Sequence, residues 1–165
     1  NMQVTSHVAS SSRAELFLAR GTEADGSART LMVKQLKTAQ DPSDLVLESF
    51  LEEARIATLL SHPSVVRPLD VGEYHGCFFF TMDHIEGADV RSLVQRVGRL
   101  SLRAALAIVT QAARALHQIH EQRDEAGRNM GIVHRNLAPS NLLVSEDGDV
   151  RLIDFGHEQK TRDQV

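Results

Sequence analysis

A chain of 165 residues with 42% hydrophobic and 24% charged side chains has the length and composition of a soluble globular protein, not of a disordered chain. The net charge of -4 and the 4% aromatic content provide neither a basic stripe nor a stacking platform, which argues against nucleic-acid binding. No apolar run is long enough to cross a membrane, and the single cysteine, Cys77, excludes an internal disulfide and suggests a reducing, cytoplasmic location.

The first predicted elements are a hairpin and a helix. Alternating apolar residues at 14–20 and 30–37 flank a segment rich in turn-forming residues, and this pattern predicts two antiparallel strands. A helix is predicted over residues 41–63, because Pro42 and several acidic residues stand near its start and apolar residues recur at helical spacing.

Two more strands are predicted after this helix. They cover residues 65–74 and 76–84 and are separated by a turn at His75 and Gly76. Residues 85–89 are expected to leave the sheet. The chain is therefore predicted to be mostly β, with one helix, through about residue 89.

The second part of the sequence is mainly helical. A short helix is predicted over residues 90–97, and a long one over residues 101–122 with Ser101 as its N-cap. Residues 141–156 follow a polar loop and are predicted to form a small hairpin. The long helix carries residues at helical spacing along one stripe. These residues are Leu102, Leu106, Val109, Ala113, Leu116 and His120.

Four motifs follow one another on elements of the predicted types. They are LMVK ending at Lys34, EEARIATLLSHPSVV beginning at Glu52, HRNLAPSN beginning at His134, and DFG beginning at Asp154. In this order they resemble the V-A-I-K strand, the C-helix, the H-R-D-L-x-x-x-N loop and the D-F-G turn of protein kinases. The chain is therefore similar to the eukaryotic-like (Hanks-type) serine/threonine protein kinases of bacteria.

The resemblance implies an α+β, protein-kinase-like fold. Residues 1–82 would form an antiparallel N-lobe sheet with a C-helix, and residues 83–88 would form a hinge. Residues 89–165 would form a partial, helical C-lobe that contains the catalytic-type loop and the DFG motif. On this basis the sequence covers about the first two-thirds of such a domain.

Lys34 and Glu53 are the expected phosphate-binding pair. A strand lysine reaches ATP phosphates only when it is held against the sheet, and a glutamate on the packing helix supplies a charge-assisted bond that holds it. Glu53 shares a helical face with Phe50 and Ala57, whereas its neighbour Glu52 is the rival candidate. Without the other motifs, the two residues would read as ordinary surface charges.

Asn141 and Asp154 are the expected ligands of Mg²⁺, because they offer hard oxygen atoms and a hairpin would bring them together. The alternative is that Asn141 caps a turn and Asp154 ends a strand. The resemblance further implies nucleotide contacts from a gatekeeper residue, from the hinge and from the strand after the loop. These residues are Met82, Asp83, Ile85 and Leu143.

The catalytic-type loop departs from the kinase pattern. Asn136 stands where such kinases carry the aspartate base, and a neutral amide cannot accept the hydroxyl proton, a contribution worth about 10²–10⁴ in rate. Ala138 stands where many of these kinases have lysine. His134 is expected to pack against Phe155 as a structural residue and not to act as an acid or base.

The nucleotide side of the pattern is altered as well. Aligned with G-x-G-x-x-G-x-V, the sequence has Ala9, Ser11 and Ala14 at the three glycine positions, where glycine would permit close backbone approach to phosphate. Met32 replaces the small alanine beside the adenine. A hairpin with a well-packed interior explains both changes as well as a specialised nucleotide site does.

These observations lead to a pseudokinase as the first hypothesis. It would bind Mg²⁺ and ATP weakly, transfer phosphate slowly or not at all, and act in signalling as a regulatory or scaffolding module. The alternative is a segment of an active Ser/Thr protein kinase that transfers the γ-phosphate to protein by positioning alone. A small-molecule phosphotransferase of related fold is less favoured, because HRNLAPSN is closer to the protein-kinase loop.

The apolar stripe of the long helix also requires a cover. In a C-lobe that ends soon after the DFG motif, this stripe would be left bare, and large exposed apolar patches favour association. Either the sequence is a piece of a longer domain whose further part covers the stripe, or a protein partner or a second copy of the chain is expected to bind there.

Overall fold

The computed structural model describes residues 2–23, 25–37, 44–60 and 62–155, except for the side chain of residue 44. The chain divides into two compact units. One contains Asn1–Arg55 and Arg67–His84, and the other contains Ile56–Val66 and Ile85–Val165. The predicted boundary between lobes at residues 83–88 remains a prediction.

The first unit is built on a five-stranded antiparallel sheet with the strand order β1-β2-β3-β5-β4. The elements of this unit are β1 (Met2–Ser10), β2 (Ala14–Thr22), β3 (Ala28–Leu36), helix α1 (Asp44–Leu59) as far as Arg55, β4 (Pro68–Tyr74) and β5 (Cys77–Asp83). The structure contains both predicted hairpins. The tight β4–β5 turn has positive φ at His75 (50°) and Gly76 (77°), as two-residue hairpins require.

Strand β1 was not predicted from the sequence. All nine of its residues are exposed, and its pairing with β2 is interrupted by two register shifts. An exposed edge strand has no buried face to impose a clean alternation, so the hydrophobic pattern carries no strand signal. The predicted helix is present as α1, while its predicted start at Pro42 lies outside the described residues.

The core of the first unit forms where α1 packs against the sheet. Leu36, Phe50, Ala54 and Phe80 are buried together, and the rings of Phe50 and Phe80 lie 5.1 Å apart. Two of these residues come from α1 and two from strands. The helical spacing of Phe50 and Ala54 and the period-2 pattern of the strands thus converge on one apolar layer.

The second unit contains two helices and a three-stranded sheet. Its elements are β6 (Gly87–Asp89), α2 (Val90–Val97), α3 (Leu102–His120), β7 (Leu142–Ser145) and β8 (Val150–Leu152), with the sheet order β6-β7-β8. Asp89 caps α2 by accepting from the Ser92 backbone N–H (2.9 Å). Ser101 caps α3 by accepting from the Ala104 N–H (3.2 Å), as predicted.

Strand β6 is a second element that the sequence did not predict. Residues 87–89 pair with β7, so this short stretch joins another sheet instead of a loop. Gly87 is required for this pairing, because a Cβ at this position would lie 2.1 Å from the carbonyl oxygen of Val144. Only glycine allows the two backbones to approach so closely.

Helix α3 buries a different face from the predicted stripe. Its buried residues are Ile108, Ala112, Ala115 and Ile119. The predicted stripe begins with Leu102, Leu106 and Val109, which remain exposed in the structure. The helix is apolar on both faces, so periodicity alone could not select the one that packs.

The core of the second unit contains Ala115 and Ile119 of α3 together with Leu60, Leu152 and Phe155. Within the described part of the chain, no helix has both the length and the apolarity needed to span a bilayer.

Candidate functional site

Lys34 and Glu53 form a two-pronged ion pair within the first unit. The Lys34 Nζ donates to both carboxylate oxygens of Glu53, at 2.6 and 2.8 Å. Their side chains are only 11% and 18% exposed, so each charge depends on the other for the hydrogen bonds that burial removes from water. The rival Glu52 instead accepts two hydrogen bonds from Arg55, at 2.5 and 2.6 Å.

The strands around Lys34 present an apolar surface on the same face of the sheet. In the register, Lys34 lies between Leu16 and Phe80, and its Nζ is 5.6 Å from the centre of the Phe80 ring. Met32 is two residues away from Lys34 and therefore points to the same face. This face combines one buried cation with apolar neighbours.

Met32 lies between Leu18 and the predicted gatekeeper Met82. All three side chains are half-buried. Met32 and Met82 were predicted to lie beside the nucleotide, whereas Leu16 and Leu18 were not. The alternation in AELFLAR was the available signal for both leucines, because it places them on one face of β2.

The side chain of Asp83 points to the opposite face of the sheet. Asp83 pairs with Leu31, which is three residues from Lys34 and so faces away from it. The Asp83 carboxylate accepts from Arg29 Nε at 3.0 Å and makes a second, shorter contact with Nη2. Arg29 Nη1 also donates to Glu23 at 2.6 Å.

These bonds raise the pKa of Arg29 above its usual value. The hydrogen bond to Glu23 has the larger effect, and the hydrogen bond to Asp83 has the next largest. The Arg29 contacts could not be predicted from the sequence, because they depend on strand register.

In the turn between β1 and β2, several backbone N–H groups form hydrogen bonds within the turn itself. The Ser11 Oγ accepts from the backbone N–H groups of Ala14 (3.0 Å) and Arg13 (3.3 Å), while the Ser11 N–H donates to the Ala14 carbonyl (2.8 Å). Lys37 Nζ donates to the Ser10 hydroxyl at 2.5 Å and to the Ser11 carbonyl at 2.7 Å. Three amides of this turn therefore already have partners inside the chain.

The second set of predicted site residues lies in the second unit, around Asn141. Asn141 is buried in a 3₁₀ turn, and its Nδ2 donates to the Asn136 carbonyl at 2.7 Å. Since the amide nitrogen is occupied, the oxygen is the end that accepts, and it takes a hydrogen bond from the Ser140 hydroxyl at 3.2 Å. This arrangement orients one hard oxygen.

Asp154 lies next to Asn141 through the β7–β8 hairpin. The Ile153 N–H donates to the Asn141 carbonyl at 3.1 Å, which places Asp154 one residue beyond this link. Asp154 has a left-handed backbone (φ 58°), as does Arg135 (φ 57°). Non-glycine residues seldom adopt this conformation, and it recurs at functional sites.

The other residues predicted for the site in the second unit differ in their burial. Leu143 is half-buried on β7, paired with Asp89 and Arg151, and Ile85 is half-buried before β6. Asn136 is exposed, and its N–H donates to the His134 carbonyl at 2.7 Å. The last residue of the DFG motif, Gly156, lies outside the described residues.

His134 is packed as a core residue. It is 2% exposed, and its ring lies 4.4 Å from that of Phe155. Its Nε2 has no hydrogen-bond partner, and burial lowers the pKa of the imidazole below its usual 6.5. His134 is therefore a neutral, structural side chain at physiological pH.

The donor set around Asn141 and Asp154 fits Mg²⁺. An amide oxygen and a carboxylate are hard ligands, and Mg²⁺ commonly takes one or two protein oxygens together with phosphate oxygens and water. Across residues 2–23, 25–37, 44–60 and 62–155, there is no cluster of three or more His, Cys, Asp or Glu that could hold a metal without such help.

A separate cavity of about 520 Å³ lies in the first unit, on the face of the sheet away from Lys34. Its lining includes apolar side chains such as Leu31, Leu69 and Phe79 as well as the charged Arg29. None of the predicted nucleotide or metal residues is among the residues that line it.

The fold and these two sets of residues define a protein-kinase-like chain. The family model "Protein kinase domain" matches residues 19–165, and the chain belongs to this family. A solved structure titled "PpkA-294 apo form" superposes with a TM-score of 0.76 at 17% identity, covering 93% of this chain and 58% of that one. The predicted α+β kinase-like fold is confirmed.

The chain is also similar to curated bacterial kinases. Tyrosine-protein kinase MasK of Myxococcus xanthus is 35% identical over 147 residues, which cover 87% of this chain and 23% of MasK. Serine/threonine-protein kinase PknH of Mycobacterium bovis is 39% identical over 136 residues, covering 82% of this chain and 21% of PknH. Serine/threonine-protein kinase PknA of Mycobacterium tuberculosis is 34% identical over 133 residues, covering 78% and 29%.

These similarities confirm the resemblance to bacterial Hanks-type kinases. The chain spans less than a third of the length of each of these three relatives.

Proposed function

We propose that this chain is a pseudokinase module that binds Mg²⁺ and ATP weakly and acts in signalling by regulating or scaffolding other proteins. The observation that carries the proposal is the contrast between an intact Lys34–Glu53 pair and an amide, Asn136, at the position of the catalytic base. The pair maintains a buried cation suited to phosphate, whereas the amide cannot take a proton from a hydroxyl.

Each set of residues would have a separate task. Lys34, held by Glu53, would bind phosphate oxygens, and Leu16, Met32 and Met82 would provide an apolar surface for the base. Asn141 and Asp154 would hold Mg²⁺, which supplies charge neutralisation for the phosphates when bound. The backbone at Asp83 and Ile85 and the side chain of Leu143 would complete the adenine contacts that the family resemblance implies.

The β1–β2 turn supports weak binding. Glycine-rich phosphate loops offer free backbone N–H groups to an anion. Here the Ser11 hydroxyl accepts two of these hydrogen bonds, and the Ser11 N–H is bonded to Ala14. A phosphate would therefore have to displace hydrogen bonds within the chain before it could gain its own.

A slow but active Ser/Thr kinase is the second candidate. The Lys34–Glu53 pair favours it, because phosphoryl transfer depends mainly on positioning and electrostatic stabilisation. Loss of general-base assistance lowers the rate by about 10²–10⁴, which would slow the reaction without abolishing it.

Nucleotide binding can be tested by thermal denaturation with Mg²⁺ and ATP. At an ATP concentration of about 100 times Kd, binding should add about 2.7 kcal/mol to the free energy of unfolding, which appears as a rise in Tm. Lys34→Met should abolish this rise, and Mg²⁺ without nucleotide controls for metal effects. A wild-type protein whose Tm does not respond at any ATP concentration would remove the nucleotide part of the proposal.

Phosphate transfer separates the two candidates. We expect the protein, incubated with labelled ATP and a basic protein substrate, to transfer no label above background. Asn136→Asp should raise transfer if the missing base is the main defect. Transfer above background by the wild type that Lys34→Met abolishes would contradict the pseudokinase assignment and support an active kinase.

A further inference from the structure

The bonds of Arg29 connect three strands at one end of the first sheet. Arg29 on β3 bonds to Asp83, the last residue of β5, and to Glu23, which follows β2. We propose that Arg29 is a positioning residue: by holding the Asp83 carboxylate, it fixes the backbone that follows β5 and so tunes the recognition of the nucleotide base. This inference rests on the proposed binding of ATP.

The register of the sheet explains why Arg29 reaches both carboxylates. Leu31 lies directly opposite Asp83, and Arg29 is two residues before Leu31 on the same face, so Arg29 is the diagonal neighbour of Asp83. On its other side Arg29 pairs with Gly21, two residues before Glu23. One guanidinium at this position therefore bonds to Asp83 at the end of β5 and to Glu23 directly after β2.

Arg29 supplies a restraint where the ladder ends. Leu31–Asp83 is the terminal pair of the β3–β5 register, and the chain leaves the sheet directly after Asp83. A strand end frays unless something other than backbone pairing restrains it. The two contacts from the Arg29 guanidinium to the Asp83 carboxylate provide this restraint on the last residue of β5.

The surroundings of the pair limit its strength. The side chains of Arg29 and Asp83 are 37% and 48% exposed, so the ion pair is screened by water and salt. Glu23 accepts a bond from the same guanidinium and holds it from the other side. Two acids around one arginine restrict its rotamers more than a single partner would. Arg29 therefore contributes more to the position of Asp83 than to the overall stability of the unit.

Base recognition is the property that this restraint would affect. In the proposed function, the backbone groups from Asp83 to Ile85 meet the edge of the base. Adenine and guanine present different hydrogen-bonding edges, so a displaced backbone should weaken ATP binding more than GTP binding. Lys34, the proposed phosphate ligand, lies on the other face of the sheet, so its contribution to binding should not change.

The test measures the affinities of the wild-type protein and its variants for Mg²⁺-ATP and Mg²⁺-GTP by calorimetry. Arg29→Ala and Asp83→Asn should each lower ATP affinity by about fivefold, the size expected for one partly exposed ion pair, with little change in GTP affinity. The double variant should lose no more than either single variant, because both remove the same bond. Arg29→Lys should restore part of the loss.

Arg128→Ala is the matched control. Arg128 also bonds to an aspartate, Asp124, at 2.9 Å, but on an exposed loop of the second unit. Its removal should leave both affinities unchanged. Tm is measured for every variant, so that a variant that fails to fold is recognised, and Arg29→Lys then carries the comparison.

Each outcome decides between the two proposals. If wild-type protein binds ATP and Arg29→Ala keeps the same ratio of ATP to GTP affinity, the role of Arg29 is refuted and nucleotide binding stands. Equal losses for both nucleotides would show a general structural role and would also refute it. A wild-type protein that binds no ATP would overturn both proposals together.

Discussion

Lys34 and Glu53 stabilise each other in a setting where neither charge would be tolerated alone. The ammonium contacts both carboxylate oxygens and approaches the Phe80 ring. Removing one partner leaves the other charge largely buried, which costs far more than the pair contributes as a whole. The pair therefore links the stability of the first unit to its candidate phosphate site.

This coupling can be measured with a double-mutant cycle. Lys34→Met should lower the free energy of unfolding by about 2–3 kcal/mol, as should Glu53→Met, and the double variant should lose clearly less than the sum. Urea denaturation provides the measurement. Arg55→Ala removes the ion pair between Arg55 and Glu52. Because the Arg55 side chain is 62% exposed, this variant should lower the free energy of unfolding by less than about 1 kcal/mol. Additive losses at Lys34 and Glu53 would contradict the coupling.

The Ser11 hydroxyl accepts hydrogen bonds from two backbone N–H groups of the β1–β2 turn. Ser11→Gly should free the amides of Arg13 and Ala14 and remove a Cβ, so ATP affinity should rise about threefold to tenfold. Ser11→Ala frees the amides but keeps the Cβ, and the difference between the two variants separates these effects. Unchanged affinity in Ser11→Gly, measured by calorimetry, would show that the turn does not limit binding.

At the scale of elements, helix α1 and strand β5 meet through two aromatic rings. Phe50 and Phe80 are both buried and lie 5.1 Å apart, so Phe50→Ala should lower the free energy of unfolding by about 3–5 kcal/mol. Leu45→Ala, at a 61% exposed position of the same helix, should cost much less. Equal costs in urea denaturation would mean that α1 does not pack as the structure places it.

The elements differ in how well the sequence predicts them. Helices α1, α2 and α3 and the β2–β3 and β4–β5 hairpins follow from periodicity, caps and turn residues, because these signals are local. β1 and β6 were not predicted. Exposed or very short strands do not produce the alternation of apolar and polar residues by which a strand is predicted from sequence. The site divides similarly: the ordered motifs indicate Lys34, Asn141 and Asp154, whereas the contacts of Arg29 require knowledge of strand register.

At the scale of the whole molecule, helix α3 carries exposed apolar side chains along one face. Leu102, Leu106 and Val109 are 75%, 56% and 63% exposed, and the spacing between them places all three on one side of the helix. Exposed apolar patches of this kind commonly bind other proteins. We propose that this face binds a protein partner or a second copy of the chain.

Of these two possibilities, binding of a second copy of the chain can be tested directly. Light scattering over a range of concentrations should show a mass that rises toward that of a dimer, and Leu106→Lys should keep the protein monomeric because it places a charge in the contact. Val97→Lys, at an exposed apolar position outside α3, should leave association unchanged. A wild-type protein that stays monomeric at all concentrations would contradict self-association.

Gly87 shows that accessibility is a poor guide to which positions of this protein can be engineered. The residue is exposed, yet any side chain at this position would collide with the neighbouring strand. A designer who mutates only solvent-facing positions to add a label or improve solubility would regard it as safe and would break the β6–β7 pairing. Redesign of this surface should therefore start from backbone clearance.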